Sequence, residues 1–166
     1  IYFLSQELKV PVNKIESFVL GGHGDSMVAM LGSTKVENKK ISELIKEGKI
    51  KKEKLNQIVE RTKKGGAEIV KYLEKGSAFY APAASGVEMA ESYIKDLKKQ
   101  LPCAAYLDGE YGFKNIYAGV PVIIGKNGVE KIIELELDDE EEKAFKLSVN
   151  SVKELYSSAK KIDPEL

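Results

Sequence analysis

The hydrophobic residues follow two different periods along the chain, and this predicts a mixture of helices and strands. Apolar positions recur at helical spacing over residues 51–75 and again over residues 145–159. Two short apolar runs that stop at glycine, Ser17–Leu20 and Met27–Leu31, are typical of strands that enter tight loops. The first half of the chain therefore combines short strands with amphipathic helices.

A β-hairpin is predicted in the second half of the chain. Pro102 begins a strand that continues to Leu107, and Tyr117–Ile124 is a second apolar strand. Asn127-Gly128 favours the positive backbone angles of a tight hairpin turn, so Val129–Leu137 is predicted to return as the partner strand. The predicted fold class is α+β, with antiparallel or mixed sheet hairpins packed against long helices.

Several residues mark the ends of the predicted helices. Pro11 cannot continue the first helix. Gly65-Gly66 interrupts the helical pattern of residues 51–75 and predicts a kink there. Pro82 suits the first turn of the next helix, and the acidic run Asp138–Glu142 suits the start of the last one. The sequence contains no G-x-G-x-x-G motif and no P-loop, so a βαβ dinucleotide fold is not predicted.

Composition and charge exclude several classes of protein. With 166 residues the chain has the length of one domain. Its 26 basic and 26 acidic residues give a net charge of zero, which argues against a general nucleic-acid binder. A single cysteine, Cys103, and a single histidine, His23, exclude a thiolate-rich or multi-histidine centre, and no metal is predicted. No apolar run approaches the roughly 20 residues of a membrane span and no signal-peptide pattern is present, so a cytoplasmic location is predicted.

The start of the chain and its arginine content each leave two interpretations open. Phe3, Leu4 and Leu8 share one helical face, yet no capping residue precedes them. We interpret this pattern as the tail of a helix from a longer protein, and the alternative is a domain trimmed at its own boundary. Arg61 is the only arginine among the 26 basic residues. Either the chain has a general lysine bias, or the residues that grip a carboxylate lie elsewhere.

The strongest candidate for chemistry is the glycine-rich run Gly21–Ser26. It places His23 between glycines after an apolar strand, so that a ligand can come close to the imidazole. Imidazole titrates near neutral pH, which suits proton transfer, whereas the alternative is a turn histidine with no such task. A Ser-His-Asp triad with Asp25 and Ser26 is disfavoured, because sequence neighbours rarely reach that geometry. A metal at His23 and Asp25 lacks further ligands.

A second candidate is the run Gly76–Ser85, in which small residues surround the aromatic pair Phe79-Tyr80 before a predicted helix. Small side chains at a helix start can line a compact anion site. The alternative, which these residues alone favour, is close packing at the start of the helix. Cys103 lies in an apolar strand and is predicted to be a buried, small hydrophobic residue.

Four segments of the chain resemble one known family. They are F-V-L-G-G-H-G-D-S-M at 18–27, R-T-K-K-G-G-A-E-I-V at 61–70, Y-A-P-A-A-S at 80–85 and L-P-C-A-A-Y-L at 101–107. In this order they resemble the lactate/malate dehydrogenase family, and most of all its bacterial malate dehydrogenases of the lactate-dehydrogenase type. The resemblance extends from Ile1 to about Lys160 and implies the α+β fold of the family's C-terminal domain.

The resemblance also implies an activity and a set of site residues. The implied reaction is the NAD-dependent conversion of malate to oxaloacetate, a 2-hydroxy and 2-keto dicarboxylate pair. His23 stands where the family has its catalytic acid/base. Ala78, Pro82 and Ser85 stand in the loop that lines the substrate, and Pro82 also borders the nicotinamide of NAD. Because the family forms dimers or tetramers, a homo-oligomer is implied, with no nucleic-acid or membrane partner.

The chain also departs from the family pattern. The glycine fingerprint of a Rossmann domain, the L-D-x-x-R motif and the arginines of a mobile loop are absent. Residues 1–166 are therefore interpreted as the C-terminal catalytic domain without the N-terminal NAD-binding domain, and little or no turnover is expected from this chain alone. The alternatives are a lactate dehydrogenase fragment, a domain related to family-4 glycosidases, and a non-catalytic oligomerisation module.

Overall fold

A computed structural model describes residues 1–165 of the 166-residue chain. Within these residues the fold is α+β, as predicted, and every strand pairing is antiparallel. The helices are α1 (Tyr2–Leu8), α2 (Ile41–Lys46), α3 (Lys52–Lys63), α4 (Gly65–Leu73), α5 (Tyr80–Ile94) and α6 (Asp139–Ile162). The strands are β1 (Ile15–Glu16), β2 (Val19–Gly21), β3 (Met27–Ala29), β4 (Lys35–Val36), β5 (Lys39–Lys40), β6 (Lys99–Asp108), β7 (Lys114–Gly125) and β8 (Gly128–Ile132).

The long strand β7 organises the larger sheet. Along one edge it pairs with β6, from Ile124 opposite Lys99 to Ile116 opposite Leu107. The other edge is shared by β2, through the Gly21–Gly119 pair, and by β8, which follows the hairpin turn. Strand β3 pairs with the free side of β2 and completes the sheet. The three remaining strands form a small sheet in the order β1-β4-β5.

Helix α6 covers one face of the larger sheet and encloses the main hydrophobic cluster. Along β6, alternate side chains point into this cluster, so that Cys103 and Leu107 are buried while Ala104 and Tyr106 are exposed. Phe145 on α6 is 1% exposed and lies at the centre of the cluster. The sheet therefore has one packed face and one open face, which is common for antiparallel sheets.

A second, smaller hydrophobic cluster lies at the start of the chain, where α1, α2, α3 and the small sheet meet. The two clusters have no buried residue in common. Between them, Thr34 Oγ1 donates to Met30 O at 2.6 Å and is also 2.9 Å from Ser17 Oγ. The buried members of the smaller cluster are Leu4, Ile15, Val36, Ile41, Leu44, Ile50 and Leu55.

Helices α4 and α5 are packed far less than α6. The helical pattern breaks at Lys64, directly before the Gly65-Gly66 pair at which a kink was predicted, and both glycines lie in the first turn of α4. Helix α4 buries no residue, and α5 buries only Ser92 among the described residues. The Ser92 hydroxyl donates to Ile124 O at 2.7 Å and thereby holds the end of α5 against β7. Within residues 1–165, no helix combines the length and the apolar character needed to cross a membrane.

Several predicted strand boundaries were wrong. Strand β2 is Val19–Gly21 instead of Ser17–Leu20, β3 ends at Ala29 instead of Leu31, and β7 begins at Lys114 instead of Tyr117. The strand predicted for Val129–Leu137 ends at Ile132, after the pairing with β7 shifts register between Ile123 and Ile124. Residues 133–137 pack against the main cluster without forming a strand. Strand β6 begins at Lys99 instead of Pro102. Proline is tolerated inside β6 because this edge strand forms hydrogen bonds with a neighbouring strand, β7, on one side only.

Candidate active site

His23 lies in a short loop that connects β2 to β3. Strand β2 ends at Gly21, one 3₁₀ turn spans Gly24–Ser26, and β3 begins at once. Gly21 and Gly24 have φ angles of +92° and +76°, the left-handed region that glycine enters without strain. His23 itself is extended, with φ −90° and ψ 148°, and its side chain is exposed. The glycines turn the chain sharply enough to present the imidazole to solvent.

An apolar recess of about 290 Å³ lies beside the imidazole. Its walls come from β2, β6, β7 and α6, and include Val19, Cys103, Tyr117 and Val152. His23 supplies the only imidazole of the chain at its rim. A mostly apolar recess with one polar group is the usual form of a small-molecule site, because burial gives affinity and the polar group gives orientation.

The loop that carries His23 is supported by the sheet below it and by α6. Gly21 pairs with Gly119 of β7 at a distance that admits no side chain on Gly119. Ser148 of α6 is 3% exposed, and its hydroxyl accepts a hydrogen bond of 2.8 Å from the backbone N–H of Gly22. Sequence reasoning missed both residues, because Ser148 is 126 positions from Gly22 and carries no local motif.

The residues next to His23 form neither a triad nor a metal centre among the described residues. The Asp25 side chain is exposed, and no hydrogen bond joins it or the Ser26 hydroxyl to the imidazole. No group of three or more histidine, cysteine or carboxylate side chains within residues 1–165 is placed to hold a metal ion.

The second candidate segment spans the linker before α5 and the first turns of that helix. Ala78 is half-buried in the linker before α5, whereas Pro82 and Ser85 are exposed in the first turns of that helix. None of the three lines the recess beside His23. Their proposed contacts with substrate and nicotinamide stay predictions.

Cys103 is buried at 8% exposure, as predicted. Burial in the apolar cluster raises the pKa of its thiol, because a thiolate would lose its hydration there. The sulfur is therefore poorly suited to act as a nucleophile.

The exposed histidine on a glycine loop and the antiparallel α+β fold agree with a comparison to known families. Residues 2–163 match the lactate/malate dehydrogenase family, in its alpha/beta C-terminal domain. The chain belongs to the lactate/malate dehydrogenase family. The resemblance carried by the four sequence segments is thereby confirmed.

Individual relatives refine this assignment. The chain is 63% identical to a malate dehydrogenase of Pelagibacter ubique over 99% of its own length and 51% of that relative. The crystal structure of Cryptosporidium parvum malate dehydrogenase superposes with a TM-score of 0.93 at 42% identity, covering 96% of this chain and 51% of that one. A lactate dehydrogenase of Eimeria maxima, solved with NADH and oxamate, gives a TM-score of 0.94 at 39% identity, covering 98% of this chain and 51% of that one. The chain thus spans about half the length of these relatives.

Proposed function

We propose that this chain forms the C-terminal, substrate-binding half of an NAD-dependent malate dehydrogenase, which interconverts malate and oxaloacetate. One observation carries the proposal: the single histidine is exposed beside an apolar recess, on a fold that belongs to this family. The 63% identity to a malate dehydrogenase favours malate over lactate as substrate. Residues 1–166 are assigned to this domain, and the NAD-binding domain is assigned to sequence outside the chain.

His23 has the chemistry that this reaction requires. In malate oxidation the neutral imidazole accepts the proton of the 2-hydroxyl group. In the reverse direction the imidazolium polarises the carbonyl of oxaloacetate and then donates the proton to its oxygen. The apolar walls of the recess strengthen this interaction, because an electrostatic attraction grows as water is excluded.

The surface near the start of α5 fits one end of the cofactor. NAD, when bound, supplies the acceptor for the hydride. Pro82 presents an exposed apolar ring, and Ala78 before it is too small to block a flat ring. We assign Pro82 to the nicotinamide and Ala78 and Ser85 to the substrate. The phosphates of NAD belong to the other domain, since this chain has no G-x-G-x-x-G loop.

The poorly packed helices α4 and α5 support a homo-oligomer, either a dimer or a tetramer. They expose large apolar side chains, among them Tyr72 (79%), Tyr80 (81%) and Ile94 (77%). Apolar surface of this kind marks a contact with another domain or subunit. Sedimentation of the protein would give the number of subunits. A cytoplasmic location stays a prediction.

The test uses a chimera in which this chain replaces the matching 51% of the Pelagibacter ubique enzyme. We expect the chimera to oxidise NADH with oxaloacetate faster than with pyruvate. His23→Asn is expected to lower kcat by about 10²–10⁴-fold, the contribution of an acid/base group. Circular dichroism checks that the variant is folded.

Each alternative gives a different result. Because the Pelagibacter ubique half supplies the mobile loop, a second chimera joins this chain to the matching half of the Eimeria maxima lactate dehydrogenase, and turnover by that chimera alone would favour a lactate dehydrogenase fragment. A chimera that assembles but turns over neither substrate would favour a non-catalytic oligomerisation module. Full activity of His23→Asn would contradict the role of the imidazole. Metal-dependent turnover of a glycoside would support the glycosidase-related alternative.

A further inference from the structure

We propose that Ser148 is a positioning residue for His23, because its hydroxyl fastens both sides of the histidine loop to helix α6. The catalytic consequence of this role rests on the proposed function. The structural role, which is to hold the His23 loop in one position, depends only on the two hydrogen bonds of Ser148 and is tested separately.

The hydroxyl of Ser148 uses its donor and one acceptor site on the same loop. It accepts from Gly22 N, one residue before His23, at 2.8 Å, and it donates to Ser26 O, three residues after His23, at 2.5 Å. A single side chain therefore joins the two ends of the loop. Removing it leaves an N–H and a carbonyl group without these partners in a partly buried position.

The contact is close because glycine occupies the facing position. A Cβ on Gly21 would overlap Ser148 Oγ and lie 2.8 Å from Ser148 Cβ. The positive φ of Gly21 disfavours any larger residue there as well. The absence of a side chain at Gly21 thus leaves the space that the Ser148 side chain fills.

Helix α6 makes Ser148 a firm anchor. The helix is 24 residues long, and its residues Phe145 and Val149, on the same side as Ser148, are 1% and 0% exposed. One turn further on, Val152 Cγ2 lies 3.4 Å from the position of a Cβ on Gly22 and also lines the recess. A group held by such a packed element keeps its orientation better than one held by a loop.

The structural test measures amide hydrogen exchange at Gly22 in this chain by NMR. We expect Ser148→Ala to accelerate exchange of the Gly22 amide at least about tenfold, since its acceptor is lost, while Val120 and Val149 stay protected. Because the chain has one histidine, its imidazole signals need no assignment, and they should broaden in the variant. Ser148→Thr, which keeps the hydroxyl, should restore both readouts.

A nearby serine on the same helix provides the control. Ser151 is exposed, and its hydroxyl donates to Leu147 O within α6 at 3.2 Å, so Ser151→Ala should change neither readout. If Ser148→Ala does not fold, Ser148→Cys takes its place, because a thiol fills the space but bonds weakly. Unchanged exchange at Gly22 and unchanged imidazole signals in the folded variant would overturn the proposal.

The catalytic test uses the chimera. Ser148→Ala is expected to lower kcat with oxaloacetate by about 10–100-fold, with the KM for NADH unchanged, since a misplaced group slows the chemical step. A rise in both KM values at constant kcat would contradict positioning. If the unmodified chimera were inactive, the proposed function would fail, while the exchange at Gly22 would still decide the role of Ser148.

Discussion

Gly119 faces Gly21 across the β2–β7 pair so closely that a Cβ on Gly119 would lie 2.7 Å from the carbonyl oxygen of Gly21. Because Gly21 is the last residue of β2, this contact fixes the point at which the His23 loop leaves the sheet. The sheet, and not only the loop, therefore determines where the imidazole stands.

The first prediction concerns this close contact. Gly119→Ala should lower the free energy of unfolding by about 1–3 kcal/mol, because β2 has to move away from β7. Gly86→Ala is the control, since Gly86 lies inside α5 with no atom within 4 Å of an added Cβ. That variant should be neutral or more stable by up to about 1 kcal/mol. Urea denaturation measures both, and equal effects would contradict the prediction.

The second prediction concerns two tyrosine hydroxyls in different settings. Tyr111 Oη donates to Ile133 O and accepts from Leu135 N, both at 2.9 Å, and burial raises the pKa of this phenol. Tyr111→Phe should cost about 1–3 kcal/mol of unfolding free energy, because two backbone groups lose their partner. Tyr106→Phe, whose hydroxyl bonds Asn115 at the surface, should change stability by less than about 0.5 kcal/mol. A larger loss at Tyr106 would refute this ranking.

The third prediction concerns the start of α6. Asp138 accepts from the backbone N–H groups of Glu140 and Glu141, and the Glu141 side chain accepts from Asp138 N, a complete capping box. Asp138→Ala should lower the unfolding free energy by about 0.5–2 kcal/mol. Asp139→Ala removes a charge from the same turn without removing the cap, so its effect should be smaller. Thermal denaturation of both variants provides the comparison.

The fourth prediction concerns the buried thiol of Cys103. The raised pKa keeps the Cys103 thiol protonated at pH values at which the cysteine of the unfolded chain already ionises. The stabilisation from this thiol is therefore complete below the pKa of the unfolded cysteine, and it is lost as pH rises through the pKa of the folded one. A thiol reagent should label the native chain on the order of 100-fold more slowly than the unfolded chain, because Cys103 is only 8% exposed at the wall of the recess and its thiol is held protonated.

A control for this labelling moves the thiol by one position. The double variant Cys103→Ala with Ala104→Cys places the sulfur on the open face of the same strand. Its native labelling should be nearly as fast as that of the unfolded chain. Rapid labelling of Cys103 itself would contradict its burial.

The sequence predicted the elements that repeat a local pattern. The apolar spacing of α6 and the glycine break between α3 and α4 are local signals, and both appear in the structure. The end of β8 was predicted five residues too late, because β7 pairs with β8 only as far as Val122 and with β2 at Gly119. A local pattern carries no information about which distant strand occupies the edge of a neighbour.

The candidate site also has one part that the sequence predicted and another part that only the folded chain reveals. Its glycine loop marks His23 in the sequence, and the structure exposes that side chain beside a recess. The supports of the loop, Ser148 and Gly119, come from distant segments that only the folded chain brings together. Serine on a helix and glycine in a strand are too common to be recognised without that fold.

The histidine loop lies where the two hydrophobic clusters meet, and this has a consequence for local opening. The turn Gly24–Ser26 contacts α6, which packs into the larger cluster, and also α3, whose Leu55 belongs to the smaller one. A fluctuation that loosens either cluster is therefore passed to the segment beside His23.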